Sequence, residues 1–276
     1  MTVDSKRILL VIVLYNRRLW DTPAYRSLIA MYNAEVYIHD NSPLPQHQAS
    51  EFPISWKYVP DTTNPGLSKA YNAAATYARQ QGYPWILLMD QDTEFPAGIL
   101  EEYLQTILAY PDIKLIVPVV RVSDTKFMSP VRVHCQMARL ATHVPTGIID
   151  LRAYSPINSG MAIEVKAFLS VNGYNEKVRL DFSDYQFIER FRQKYAECYV
   201  LTSVCQQEFS DIVQTSRQKI DRFILFCDSL ANCDKHGMID KMCYFIAVSK
   251  RMLSLSLRTM SLKPAAIFVR YYMKRR

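Results

Sequence analysis

Glycine is scarce, at 7 of 276 residues, and the 14 prolines follow no period, which excludes a collagen-like or low-complexity chain. No stretch approaches the roughly 18 uninterrupted apolar residues of a membrane-spanning helix. The apolar runs, such as Ile8 to Tyr15 and Met242 to Val248, are of strand or helix-face size. The opening MTVDSKRILLVIVLYN is closed by Asn16-Arg17-Arg18 without a small-residue cleavage site, so it does not read as a secretory signal. The six cysteines contain no Cys-x-x-Cys pair and no dense spacing, which predicts reduced, mostly buried thiols in a cytoplasmic protein and no zinc site. The five histidines, at 39, 47, 134, 143 and 236, lack metal-ligand spacing and take no catalytic role.

What is present is a chain able to bury a large core, with 49% hydrophobic and 21% charged residues. The formal charge of +7 is unevenly distributed. Residues 217–276 hold 13 Lys+Arg against 4 Asp+Glu, a balance of +9, and residues 1–216 are slightly acidic. The basicity belongs to the tail.

The first 216 residues alternate strand-like and helix-like segments. Ile8–Leu14, Glu35–His39, Trp85–Met89 and Lys114–Val119 are aliphatic or β-branched runs that suit strands covered on both faces. Asp21-Thr22-Pro23 offers a helix cap, with Leu28, Ile29 and Tyr32 following at helical spacing. Gly66 to Arg79 is Ala-rich, and Pro96 to Tyr110 sets Ile99, Leu100, Tyr103, Leu104, Ile107 and Leu108 on one face. This βα alternation predicts a largely parallel sheet with ligands at the carboxyl ends of its strands. From Arg121 to Tyr154 the periodicity dissolves, as in a site-forming insertion. Beyond Thr215 the pattern is helical, with one stripe of Ile220, Phe223, Phe226, Cys227 and Leu230, another of Ile239, Met242, Cys243 and Ile246, and a break at Gly237. The expected division is a catalytic α/β domain over 1–215 and a basic helical extension over 216–276.

The chemistry concentrates at WILLMDQDTEF, residues 85–95, where an apolar strand runs into Asp90-Gln91-Asp92. Side chains two apart on extended backbone share a side. Two carboxylates left unpaired there are costly, and a hard divalent cation bridging to phosphate oxygens relieves them. A solvated acidic turn is the alternative for so short a motif.

Other signals follow in order: Leu14-Tyr15-Asn16, then His39-Asp40-Asn41-Ser42, NPGLSKAYNAA at 64–74, SPINSGMAI at 155–163 and GYNEKVRLDFSDYQF at 173–187. With Asp-Gln-Asp-Thr, this series resembles the family 2 glycosyltransferases of GT-A fold, particularly bacterial rhamnosyltransferase-like members, over roughly residues 8–210. The resemblance implies a Rossmann-like mixed α/β sheet and a nucleotide-sugar donor. It gives Asp40 a hydrogen bond to the nucleobase, with Leu14 and Tyr15 lining the base and ribose pocket. Asn64, Pro65 and Gly66 lie along the nucleotide, Lys69 near phosphate, and Asn158, Ser159 and Gly160 on the acceptor side. The resemblance also implies that Asp92 ligates Mn2+ or Mg2+, with Asp90 nearer the ribose and metal-bound water. Taken without the resemblance, Asp40 reads as a turn residue and Gly66 as part of a helix cap.

Inverting sugar transfer needs a base for the acceptor hydroxyl. The family carries it just after a Gly-Tyr-Asn-Glu turn, here Gly173 to Glu176, which implies Asp184 as the base with Asp181 as its rival. Two positions depart from the family pattern. Gln186 stands where a carboxylate is usual, near the acceptor, and Gln207, within Cys205 to Ser210, aligns where many relatives place a metal-binding His. Gln207 is a weaker ligand, and Glu208 is its possible substitute.

The implied function is metal-dependent transfer of a sugar, with dTDP-rhamnose as the expected donor, to a glycan or lipid-linked acceptor in surface polysaccharide synthesis. The alternatives are a degenerate nucleotide-binding or scaffold member and a sugar nucleotidyltransferase; the latter's Gly-rich loop after the first strand is absent from Tyr15-Asn16-Arg17-Arg18. The tail, where Lys250, Arg251, Arg258, Lys263, Arg270, Lys274, Arg275 and Arg276 interleave with apolar residues, suits an anionic membrane surface or a helix packed on its own domain. No nucleic-acid-binding motif accompanies that charge. The expected location is the cytoplasm, peripheral on the inner face of the cell membrane.

Overall fold

A computed structural model describes residues 7–31, 34–208 and 215–274, apart from the side chain of Ser216. Tyr32, Phe209, Ser210, Arg275 and Arg276, which the sequence reading used, lie outside the described residues. The chain runs β1 (Ile8–Leu14), α1 (Pro23–Ile29), β2 (Glu35–Asp40), β3 (Lys57–Pro60), α2 (Leu67–Gln80), β4 (Trp85–Asp90), β5 (Thr93–Glu94) and α3 (Ile99–Ala109). It continues through β6 (Leu115–Ser123), β7 (Lys126–Ser129), β8 (Val133–His134), β9 (Met137–Ala138), β10 (Gly147–Asp150), β11 (Ala162–Glu164), α4 (Val165–Ser170), α5 (Ser183–Phe191) and β12 (Glu197–Gln207). The last helices are α6 (Ser216–Asn232), α7 (Met238–Thr259) and α8 (Lys263–Ile267).

The main sheet has the order β10-β12-β6-β11-β4-β1-β2-β3. Strands β4, β1, β2 and β3 are parallel and bring the ends of β1, β2 and β4 to one edge. Every residue of β1 is buried, as a strand covered on both faces requires. Its side chains divide by alternation: Leu9, Val11 and Val13 join the Ala-rich face of α2 and the aromatic face of α5, whereas Leu10, Ile12 and Leu14 join α1 and α3. Each such aliphatic side chain contributes about 1.5–3 kcal/mol by leaving water, so this sandwich is the principal stabilising layer.

The sheet is mixed where the sequence predicts one largely parallel. Strand β11 lies antiparallel between β4 and β6. The cause is local: at Gly160, φ +82°, the chain reverses beside the end of β4, with Gly160 N donating to Leu88 O at 2.8 Å. A Cβ at Gly160 would strike the Pro118 ring. The segment from Arg121 to Tyr154 is built from the short pairings β6–β7 and β8–β9 and from β10 on β12, too brief to leave a periodicity.

Two expectations are corrected in the C-terminal half. Cys135 and Cys243 form a disulfide, against the prediction of reduced thiols; Cys198, Cys205, Cys227 and Cys233 are free and buried. The partners are 108 residues apart, so only the approach of the β8–β9 hairpin to α7 makes them neighbours. The predicted stripe of α7 does not face the core: Ile239, Met242 and Ile246 are exposed by 40–76%, and Tyr244, Ala247, Val248 and Leu255 are buried in their place. The stripe of α6 does pack inward through Phe223, Phe226, Cys227 and Leu230, onto Val178 and Phe182 of the segment entering α5. The helical extension therefore shares a core with the loop that carries Asp181 and Asp184. Among the described residues no helix is long and apolar enough to cross a membrane.

Candidate active site

The carboxyl edge of β1, β2 and β4 gathers the residues of Asp-Gln-Asp-Thr, and each of the four meets a different element. Asp90 accepts from the Tyr71 hydroxyl of α2 at 3.1 Å. Gln91 clasps the backbone of Tyr15, accepting from its N at 3.1 Å and donating to its O at 3.4 Å. Asp92 accepts from the side-chain amide of Gln207 at 3.3 Å, where β5 pairs with β12. Thr93 is fully buried and accepts from the Ser159 hydroxyl at 2.7 Å.

Burial, reinforced by the charge of Asp92 and less by that of Asp184, pushes the Asp90 carboxyl up to about 7. Burial also raises Asp92 above the usual carboxylate range. Two shielded carboxylates that oppose one another's ionisation form a poor anion pair and a good cation site. Gln207 Oε1 is buried without a hydrogen-bond partner and belongs to the amide that contacts Asp92. Rotation of that amide would offer this oxygen to a cation on Asp92, so the donors present fit a hard divalent ion completed by pyrophosphate oxygens. Among the described residues no cluster of three or more His, Cys, Asp or Glu adds to them. Glu208 is exposed and paired with Arg17 at 3.4 Å.

Phe182, φ +67°, turns the chain into α5 and presents Asp184 in its first turn. Burial, with the charge of Asp181 adding to it, pushes Asp184 up to about 6, against one backbone bond from Tyr185 N at 2.8 Å. Asp181 is committed to Arg222 of α6 at 2.9 Å, which favours Asp184 as the carboxyl free to take a proton. Gln186 is 2% exposed, and neither atom of its amide has a partner. It lies in the interior, in the first turn of α5.

Several of the expected contact residues are hydrogen-bonded within the fold. Asp40 is fully buried; Oδ1 accepts from Ser42 N at 3.0 Å, and Oδ2 from Gln46 N at 2.8 Å and Tyr58 Oη at 2.7 Å. Its oxygens are thus taken up in shaping the loop beyond β2, the turn role that its residue type alone suggested. Leu14 is core, while Tyr15 stands half exposed at the mouth. Asn16 N, next in the chain, donates to Ser42 Oγ at 2.8 Å. Gly66, φ +94°, makes room for the backbone of Arg179, into which a Cβ would run. Leu67 N donates to Arg179 O at 2.8 Å, Ser68 Oγ to Val178 O, and Arg179 to Asn64 O. The 64–67 loop is therefore sealed by the 178–179 segment, and Lys69 is exposed, with its charge acting on Asp61 and His39. Asn158 and Ser159 are buried as well. Asn158 accepts from Tyr174 Oη at 2.6 Å and donates to Ser183 Oγ at 3.5 Å, and Gly160 O accepts from Tyr103 Oη at 2.5 Å.

Tyr71 bonds Asp90, Gln91 bonds Tyr15, and Tyr174 and Ser183 bond Asn158, with the Tyr71 and Tyr174 rings 5.4 Å apart; none of the four was given a role from sequence. Gln91 and Thr93 were legible only as parts of a motif. Tyr71 and Tyr174 likewise stood only inside motifs, and their hydroxyl partners, Asp90 and Asn158, lie on other elements.

The comparisons with known proteins agree with this layout. The model of glycosyl transferase family 2 matches residues 9–168, more than half of the chain. No curated protein matches. Among solved structures, S. aureus TarS 1-349 in complex with UDP-GlcNAc superposes with a TM-score of 0.56 at 11% identity, covering 98% of this chain and 90% of that one. A longer S. aureus TarS chain gives 0.52 at 14% identity over 83% of this chain, which spans only 40% of it. The mannosyltransferase PcManGT from Pyrobaculum calidifontis, in complex with GDP-Man and Mn2+, gives 0.51 at 14% identity, covering 95% of this chain and 73% of that one. At these identities the likeness carries the GT-A-like fold alone. The sheet order, the strand-end carboxylates and the family match lead to one conclusion: the chain belongs to glycosyl transferase family 2.

Proposed function

We propose that the protein is an inverting glycosyltransferase that takes its sugar from a nucleoside diphosphate donor. The observation that carries this reading is the pair of half-buried carboxylates Asp90 and Asp92 gathered at the carboxyl end of β4, with Gln207 on Asp92 and desolvation raising both carboxyls. Asp92, Asp90 and Gln207 would hold Mn2+ or Mg2+, which would supply positive charge to the leaving diphosphate. The neighbours' ligands, UDP-GlcNAc and GDP-Man, are nucleotide sugars, which supports a donor of that class here.

Asp184 acts as the base. As an acceptor hydroxyl oxygen attacks the anomeric carbon, its proton passes to Asp184. The bond from that carbon to the diphosphate oxygen breaks, its electron pair leaves with the diphosphate, and configuration inverts. Tyr71, Tyr174 and Asn158 hold the floor beneath this exchange through the hydroxyl and amide bonds described above. Gln91 sets the backbone of Tyr15 at the base and ribose side. dTDP-rhamnose is the proposed donor on the resemblance of Asp-Gln-Asp-Thr, with acceptors in surface polysaccharide synthesis. The exposed apolar stripe and cations of α7 and α8 support a peripheral place on an anionic membrane.

A thermal-shift panel of nucleotide sugars, each with manganese or magnesium, tests the reading. One donor should stabilise the protein in a metal-dependent way, and Asp92→Ala should remove the effect. A second reading, a nucleotide-binding member without transfer activity, draws on the unpartnered, buried amide of Gln186. Metal-dependent donor binding with no release of nucleoside diphosphate under any acceptor would favour it. The family match lends no support to a sugar nucleotidyltransferase.

A further inference from the structure

Beside the base, the helical extension and the insertion enclose a cavity of about 900 Å³. Phe182 and Tyr185, the residues following Asp181 and Asp184, form one wall. Arg132, His134, Arg139 and His143 stand on the insertion side, Lys250 and Arg251 on α7, and no Asp or Glu lines the space among the described residues. None of Arg132, Arg139, Lys250 or Arg251 has an acidic partner among the described residues. Arg251 lies 4.2 Å from the centroid of Phe226 and Arg132 5.2 Å from that of Tyr154, so both guanidiniums are held over rings. Their in-plane N–H groups suit phosphate oxygens. Gln136 and Ser254 are further polar groups, and most of the remaining lining is apolar, including Val131, Met137, Ala141, Phe226 and Ala247. Four unpaired cations around such a lining match an anion joined to an apolar group.

The geometry of α7 indicates what that apolar group is. At about 100° per residue, Ala247, Lys250, Arg251 and Ser254 share the cavity side of the helix. Adjacent to them around the helix runs the exposed stripe of Ile239, Met242, Ile246, Leu253 and Leu257. The mouth of a cationic cavity therefore borders an apolar strip of the length of the helix. We infer that this cavity is the acceptor subsite and that it binds the phosphate of a lipid-linked acceptor, with the lipid chain leaving along the α7 stripe and the attached sugar reaching past Phe182 and Tyr185 to Asp184. The inference rests on the transferase reading above and supplies the acceptor class for it.

Calorimetric titration of the full chain with farnesyl diphosphate, farnesol and inorganic pyrophosphate, all in EDTA so that no cation bridges to Asp92, tests it. Farnesyl diphosphate should bind most tightly. Arg139→Glu and Lys250→Glu, at residues with no acidic partner among the described residues, should each weaken it about tenfold and together more, with melting temperature unchanged. Pyrophosphate binding as tightly as farnesyl diphosphate would overturn the lipid assignment, and binding indifferent to both reversals would overturn the subsite. Titration of wild-type protein with UDP, GDP and dTDP plus manganese reports on the donor site separately. Failure there sinks the transferase reading, whereas farnesyl diphosphate affinity concerns the cavity alone.

Discussion

Gln207 on β12 donates its side-chain amide to Asp92, 3.3 Å away, and its own carbonyl oxygen is left buried without a donor. The contact joins the acidic turn to the one long strand that also carries β6 and β10, so the two carboxylates and the far half of the sheet are positioned together. Gln207→Ala should weaken manganese binding in the presence of nucleoside diphosphate by about tenfold, read by calorimetry. Unchanged affinity would show that the amide plays no part in holding the ion.

Asp184→Asn should reduce transfer by about 10²–10⁴ while leaving donor binding in place. In the wild type, kcat/KM should rise with pH through about 6, the value to which burial pushes Asp184. Transfer that survives in the variant with the same pH profile would move the base elsewhere.

The same group makes a stability prediction of opposite sense. A carboxyl raised from its ordinary 3.8 to about 6 withdraws stability as pH climbs through that interval, because the folded state holds the proton more tightly than the unfolded chain. The ionised form costs roughly 2–3 kcal/mol at neutral pH. Asp184→Asn should therefore melt higher than wild type at pH 7.5 and lose the advantage near pH 4. Parallel melting curves at both values would contradict the burial argument.

Gly66 and Gly82 both have positive φ, +94° and +75°, but only Gly66 has a backbone packed where a Cβ would go. Gly82→Ala should cost about 1 kcal/mol from its left-handed backbone alone. Gly66→Ala should cost distinctly more, because it forces Arg179 and the segment leading to Asp181 and Asp184 off the 64–67 loop. Chemical denaturation of the two variants gives the comparison, and equal losses would mean that the seal carries no energy.

Leu253 and Leu257 lie on the exposed stripe of α7, so replacing both by Ser should leave the melting temperature unchanged and weaken binding to phosphatidylglycerol vesicles at least about tenfold. Salt should weaken the wild-type interaction too, through the tail's cations. Flotation of vesicles with the two proteins measures this, and equal recovery would assign the stripe to another partner.

Local and periodic features of this protein follow from the chain alone. A run such as Ile8 to Leu14 suits a strand covered on both faces, Thr22 and Pro23 cap a helix, and the acidic turn after β4 stands out as the candidate site. These depend on neighbouring residues, whose spacing is written in the sequence. Tertiary structure decided which side chains meet: Gly66 against Arg179, Cys135 against Cys243, Asp40 closed in by Ser42, Gln46 and Tyr58. It also decided which face of α7 is buried, since both faces carry apolar residues and only the docking of α6 and α8 selects between them. Contacts between residues a hundred positions apart leave no periodic trace, because the free energy that selects them comes from packing the whole chain at once.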